Sequence, residues 1–237
     1  MFSSPTRWLL WRDHDHHPAR NMAIDEALLE RISEYDMPLL RIYEWDRPAV
    51  SIGYSQDYAA ATVDEEDYEI VRRPTGGGVV FHTNDLTYTA VIPPANSICS
   101  LNRNESYQVF HEALLIAFTT MGVAAGLHRE EQEDVDRRVM KCFVTPSKFD
   151  VVSVTGKHAG AAQRRSRMGI LHQGSILLDN LPCSKPGLTT ALIRAMQKKF
   201  NIDFVPFKPD QALLDRATEL EGKKYTQKDW NLDRKDG

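Results

Sequence analysis

Cysteine is scarce in this 237-residue chain, which holds three: Cys99, Cys142 and Cys183. They are too few and too widely spaced for a disulfide framework or a metal-ligand pattern. Such usage favours a reducing compartment, where a free thiol persists for chemistry. Long apolar runs are missing too. The opening segment has only Trp8-Leu9-Leu10-Trp11, too short for the core of a signal peptide. No later run approaches a membrane span, so a soluble, cytoplasmic protein with no membrane partner is expected. Basic charge is not in excess. The net charge is −4, which argues against nucleic acid as a partner. There is no internal repeat and no low-complexity linker. Asp13-His14-Asp15-His16-His17 suggests a metal site at first sight. Its residues are consecutive, however, spaced for neither a helix face nor a finger, and Pro18 follows. A solvated loop is expected there, and no metal site.

What is present reads as an ordinary globular protein, 42% hydrophobic and 26% charged. Residues 1–237 are expected to form a single domain that buries a core without staples. A helix capped by Asn21 should run to Ile32, burying Ile24, Ala27, Leu28 and Ile32 at helical spacing. Asp25 and Glu26 fall in its first turn, where the helix dipole favours negative charge. Strands are expected over 39–45, 49–54, 68–71, 79–81 and 86–92, with an exposed helical turn at Asp64–Asp67. A second helix, capped by Asn104 or Ser106, carries the stripe Tyr107, Phe110, Leu114, Ala117, Phe118 and Met121 and ends at Gly122. After a surface loop from Glu130 to Lys141 come strands over 149–154, 156–163 and 168–178, helices over 188–200 and 210–220, and a polar tail from Trp230. Strands and helices mix without regular βαβ alternation. The fold class is therefore α+β, with a mixed, largely antiparallel sheet.

Three stretches carry chemistry. Arg72-Arg73-Pro74-Thr75-Gly76-Gly77-Gly78 precedes Val79-Val80-Phe81-His82. A glycine run between strands is conformationally costly, and it suits backbone that approaches a ligand closely; two arginines and a histidine beside it suit an anionic or carboxyl-derived ligand. The alternative is a tight turn beside a surface arginine pair. Cys142 follows Lys141, with Arg137 and Arg138 near by. Cationic neighbours lower a thiol's pKa, and a thiolate can accept an acyl group and pass it on. The alternative is a small core residue, the reading that suits Cys99 and Cys183 better. Lys157 stands among Gly156, Ala159, Gly160, Ala161 and Ala162, which leave room for a substrate. A lysine there can polarise a carbonyl oxygen; otherwise it is a solvated strand lysine. His82 and His172 are candidates for proton transfer or hydrogen bonding, or for plain structural roles. Arg164, Arg165 and Arg167 next to Gln163 are a solvated face or a dock for an acidic carrier protein.

Four blocks, taken together, resemble a known family. They are Asn21-Met22-Ala23-Ile24-Asp25-Glu26-Ala27-Leu28, Arg41-Ile42-Tyr43-Glu44-Trp45 with Ser51-Ile52-Gly53-Tyr54, the stretch from Arg72 to His82, and Gly156 to Ser175. The chain resembles the lipoate–protein ligase and octanoyltransferase family, which belongs with the biotin protein ligases. Cys142-Phe143-Val144-Thr145-Pro146-Ser147 is similar to the cysteine loop of the monofunctional octanoyltransferases of the Bacillus type. ATP-dependent ligases lack that cysteine and carry a C-terminal accessory domain, for which no room follows Trp230. The resemblance therefore implies a transferase on a biotin/lipoate protein ligase-like catalytic fold, with the acyl chain in a tunnel between the glycine run and the Lys157 strand. It implies Cys142 and Lys157 as catalytic residues. It places substrate binding at Arg72, Arg73, Thr75, Gly76, Gly77, Gly78, His82, Gly160, Gln163 and His172. His172-Gln173 stands where those transferases often have Gln-His, and His158 replaces an aliphatic residue.

The implied reaction moves an octanoyl group from octanoyl-acyl carrier protein, through a Cys142 thioester, to a lysine of a lipoyl domain such as glycine-cleavage H protein. It needs no cofactor, and a monomer is expected. The rival readings are an ATP-dependent ligase with a separate accessory subunit, an amidotransferase between lipoyl domains, a silent acyl-carrier-binding module, and biotin transfer.

Overall fold

In the computed structural model, residues 6–61, 67–130, 146–179 and 181–234 are described. The chain opens with strand β1 (Thr6–His16), helix α1 (Pro18–Tyr35), strands β2 (Leu39–Trp45) and β3 (Ala49–Ile52), then β4 (Glu69–Arg72), β5 (Val80–His82) and β6 (Asp85–Ile92). Helix α2 (Arg103–Thr120) and strands β7 (Gly126–Leu127), β8 (Val151–Ser153), β9 (Gly156–Ser166) and β10 (Gly169–Leu177) follow. Helix α3 (Lys185–Phe200), strand β11 (Ile202–Pro206) and helices α4 (Gln211–Leu220) and α5 (Lys228–Asp233) complete it.

Eight strands form one sheet in the order β11-β1-β2-β6-β10-β9-β8-β7. β11, β1 and β2 are mutually parallel and all later pairings are antiparallel. This is the mixed, largely antiparallel sheet that the sequence leads one to expect. Side-chain alternation sorts the core into two layers. Leu9, Trp11, Leu39, Val91 and Leu171 face α1 and α4. Their immediate neighbours Trp8, Leu40, Ala90 and Ile170 face α2 and α3. A second, three-stranded sheet, β4-β3-β5, has its own small core of Val50, Ile52 and Val79. Among the described residues no helix is long and apolar enough to cross a membrane.

Several local expectations are corrected. α1 starts three residues before Asn21, with His17 as its cap and Pro18 at the first helical position. A proline is pre-organised there because the first N–H groups have no helical partner. Asn21 instead lies buried, and its amide donates to the carbonyls of His16 and Glu44. The stretch from Asp13 to His16 is no solvated loop but the end of β1, because Arg41 from β2 draws the Asp13 carboxylate inside. Burial alone would raise that carboxyl. His16 and Arg41 outweigh it and bring its pKa down to about 2. α2 is capped by Asn102, in a reciprocal capping box with Glu105, and Gly122 closes it at a φ of 74°. The segment from Trp230 is not a simple polar tail: Trp230 is 1% exposed and its indole N–H donates to the Arg72 carbonyl at 2.9 Å. The acidic residues Asp64–Glu66 and most of the expected loop up to Lys141 lie outside the described residues.

Candidate active site

A narrow, partly enclosed cavity, with about 40 Å³ open to the centre of a water molecule, lies where the small sheet meets the large one. α1 contributes Met22, and β2 contributes Tyr43 and Trp45. The small sheet and its glycine turn contribute Ser51, Arg73, Val80 and His82. The floor is Thr87 of β6, Lys157 to Ala162 of β9 in part, and Gln173 to Ser175 of β10. Gly160, Ala161, Ala162 and Gly174 give this part of the lining little bulk, and the Cβ positions at the two glycines are taken by Lys157 and by the Tyr88 ring.

Lys157 reaches into this space with its Nζ 2.7 Å from Asp150 Oδ2, both side chains at most 5% exposed. Gly160 makes the pairing possible. A Cβ there would stand 2.7 Å from Lys157 Cε and Nζ and 3.1 Å from Asp150 Oδ1. Asp150 Oδ2 also accepts from the backbone N–H of Ser147 at 2.6 Å. Ser147 follows Cys142 by five residues, so the lysine's partner is tied to the segment that leads from the cysteine. Cys142 itself, with Arg137, Arg138 and Lys141, lies outside the described residues. Burial pushes the Cys99 and Cys183 thiols up, which disfavours a thiolate at either.

Arg72 and Arg73 part company, as neighbours on extended backbone do. The Arg73 guanidinium donates to the carbonyls of Gly76 and Gly78 at 2.7 Å and to both oxygens of Ser51 at 2.8 and 3.1 Å. It thus fixes the glycine turn against β3. Gly77 adopts a φ of 85°, and its carbonyl packs so tightly on Gly53 that no Cβ fits there. Arg72 points away from the cavity. It donates to the carbonyls of Gly53, Tyr54 and Gln56 on one side and of Trp230, Asn231 and Leu232 on the other.

Thr75 donates to the Gln173 carbonyl oxygen at 2.7 Å, and Gln173 donates to Asp25 at 2.7 Å. Asp25 pairs with Arg41 at 2.7 Å and accepts from Thr89 and Tyr43. This buried network fixes one cavity wall. His172, next to Gln173 on β10, lies on the opposite face, stacked on Phe110 at 4.2 Å between ring centroids. Burial and the nearby His111 hold its pKa well below the ordinary range, so the ring is neutral. Its partners are Gln163 and Tyr88. Gln163 also accepts from Ser106. Of the residues expected to bind substrate, Arg73, His82 and Gly160 line the cavity with Lys157; Thr75 reaches its wall through Gln173. Arg72, Gly76, Gly77, Gly78, Gln163 and His172 are not in its lining.

Sequence reasoning missed Ser51, Asp85 and Asp150. His82 Nδ1 is 2.8 Å from Asp85 Oδ2, and His82 Nε2 is 2.8 Å from Ser51 Oγ. Asp85 also accepts from Ser175 at 2.7 Å and Thr87 at 2.9 Å. Burial would raise the Asp85 carboxyl, but His82 and the two hydroxyls outweigh it and keep it below its ordinary value. Only the three-residue spacing of His82 and Asp85 across a turn was a readable signal. The basic run disperses: Arg164 pairs with Glu26, and Arg165 donates to Ser106 and the carbonyls of Cys99 and Leu101. Asp13, His14 and His16 bring ligand atoms within 4.8 Å of one another, but Arg41 already occupies the Asp13 carboxylate.

Residues 17–200 match the family described as lipoyl protein ligase A/B catalytic domain. The chain is 30% identical to the octanoyltransferase LipM of Lysinibacillus sphaericus, over 96% of this chain and 99% of that one. Its fold superposes on a lipoate-protein ligase A bound with ATP at a TM-score of 0.81, with 23% identity, covering 96% of this chain and 99% of the other. A bi-partite lipoate protein ligase studied with its E2 lipoyl domain, from Thermoplasma acidophilum, superposes at 0.74, with 22% identity over 96% of each chain.

Proposed function

The chain belongs to the lipoyl protein ligase A/B catalytic-domain family and is an acyltransferase of octanoyl transfer in protein lipoylation, and on that premise we propose that it works through an acyl-cysteine. Octanoyl-acyl carrier protein is the donor, Cys142 the nucleophile, and a lysine of a lipoyl domain, such as that of glycine-cleavage H protein, the acceptor. The observation that carries this reading is the Lys157–Asp150 pair in the wall of the cavity, tied through Ser147 to the segment from Cys142.

The octanoyl chain lies along Gly160, Ala161, Ala162 and Gly174, and each methylene it buries contributes about 0.8 kcal/mol. The Cys142 thiolate attacks the donor's carbonyl carbon, a new C–S bond forms as the C–S bond to the carrier breaks, and the carrier leaves as its thiolate. The Lys157 ammonium lies against the oxygen that gains charge in that step. Asp150 holds it in place, a positioning role. Gly76 to Gly78 shape the cavity mouth through Arg73. Arg72, Gln163 and His172 support the walls from behind. Thioester to amide is downhill, so no ATP is consumed.

Intact-protein mass spectrometry after mixing with octanoyl-acyl carrier protein, without ATP, tests this. An octanoyl adduct on the wild type, absent from Cys142→Ala, is expected. No adduct overturns the cysteine mechanism. An adduct from octanoyl-H protein but not from the acyl carrier protein reassigns the donor.

A further inference from the structure

The reaction needs a second proton-handling group, and the cavity contains one that the cysteine and lysine leave unused. We propose that Ser51, His82 and Asp85 form a proton relay that relieves the acceptor lysine of its proton as the amide forms. This rests on the acyl-cysteine reading above and concerns its second half.

A lysine in water is an ammonium, with roughly one molecule in 2,500 neutral at pH 7. When the neutral amine adds to the acyl carbon, its nitrogen becomes cationic and must lose a proton before the thiolate leaves. Lys157 is unsuited to accept it, being held against Asp150 at 2.7 Å. The relay is suited. Asp85, an ionised carboxylate, accepts from His82 Nδ1, which leaves Nε2 as an acceptor. Ser51 therefore donates to His82 Nε2 at 2.8 Å, while its own oxygen accepts from Arg73. Every hydrogen bond in the row points toward Asp85. Ser51 and His82 line the same cavity as Lys157, and Trp45, stacked 4.0 Å from His82, fixes the ring.

The step balances as follows. The N–C bond forms; the amine proton passes to Ser51 Oγ as the Ser51 proton passes to His82 Nε2. The C–S bond breaks, and the Cys142 thiolate later recovers the proton from the imidazolium. Ser51 and His82 are the catalytic residues here and Asp85 positions the ring. Among the described residues, the ionisable groups that touch His82 or face the same cavity are Asp85 on β6, Arg73 behind Ser51, Tyr43 on β2, and Lys157 on β9, which is paired with Asp150 just before β8.

The test starts from octanoyl-enzyme, prepared as wild type and His82→Gln and freed of donor. Each is mixed with an unacylated lipoyl domain, and adduct loss is followed by mass spectrometry. Hydroxylamine, whose weakly basic nitrogen sheds its proton to water, serves as a second acceptor. We expect discharge to the lipoyl domain to slow at least about 100-fold in His82→Gln, the low end of general acid–base effects. Discharge to hydroxylamine should stay within about threefold, a pattern that damage to the fold would not produce. Overall transfer, followed from pH 5 to 9, should show an acid-side inflection that His82→Gln lacks. Equal discharge to the lipoyl domain, equal slowing with both acceptors, or an octanoyl group found on Ser51 overturns the relay. If the wild type never acquires a Cys142 adduct, the cysteine reading falls by itself. The pH profile of overall transfer still decides the relay in that case, and an inflection shared by both proteins overturns it.

Discussion

Two buried polar networks flank the same strand, β10, and they are built differently. On the α1 side Gln173 joins Thr75 to Asp25, and Asp25 to a fully buried Arg41. On the α2 side His172, its neighbour, joins Gln163 to Tyr88 under Phe110. The first network is charged and borders the cavity; the second centres on neutral groups packed in the α2 layer. Ionic groups give a wall directional anchors that an apolar layer lacks, and they are costly to break. Neutral groups pack a core, and their weakness appears when one of them must take a charge.

The largest expected effect lies on the charged side. Arg41→Met leaves Asp25 and Asp13 buried without their cation, and should destabilise the fold by about 3–5 kcal/mol in urea denaturation. A loss under about 1 kcal/mol would mean that the network is ornamental. Next comes Gly160→Ala, which pushes on a flexible ammonium rather than on backbone. Octanoyl transfer should fall about tenfold, some 1.4 kcal/mol in the barrier, with little change in melting temperature. Unchanged transfer would detach Lys157 from the reaction.

The neutral side should show itself through pH. The folded state holds His172 well below its ordinary value, whereas the unfolded chain protonates it near 6.5. Stability is thus intact above about pH 6.5 and falls as pH drops toward the folded value, by up to about 1.4 kcal/mol per unit for each such histidine. His111 is shifted the same way by burial and steepens the fall. His172→Gln should remove one proton from that slope, read from urea midpoints between pH 7.5 and 5; an unchanged slope would place the titration elsewhere. Smallest of all is Arg167→Ala on the exposed turn, expected to alter stability by less than about 0.5 kcal/mol.

Helices and strands with apolar periodicity were legible. α1 buries the stripe its spacing announces and α2 buries most of its own, α3 and β10 overlap their expected ranges, and β6, expected to be half-buried, is buried on both faces. The misreadings share a cause. Asp13 looked like a loop residue because its reason for being inside, Arg41, is 28 positions away. Trp230 looked like part of a polar tail because its partner, Arg72, is 158 positions away. In the cavity, Lys157 and Gly160 were readable because small residues cluster locally. Ser51 was not, since an isolated serine in a strand says nothing until His82, 31 residues on, is brought against it. Periodicity reports which face is buried; it is silent on which polar groups meet there.

Arg72 clasps carbonyls of residues 230 to 232 on one side and 53 to 56 on the other. During synthesis the ribosome makes the glycine turn long before it makes the residues that complete this clasp. The glycine turn is therefore made with an arginine still awaiting its partners, and residues 230 to 232, synthesised much later, lock the small β4-β3-β5 sheet in place.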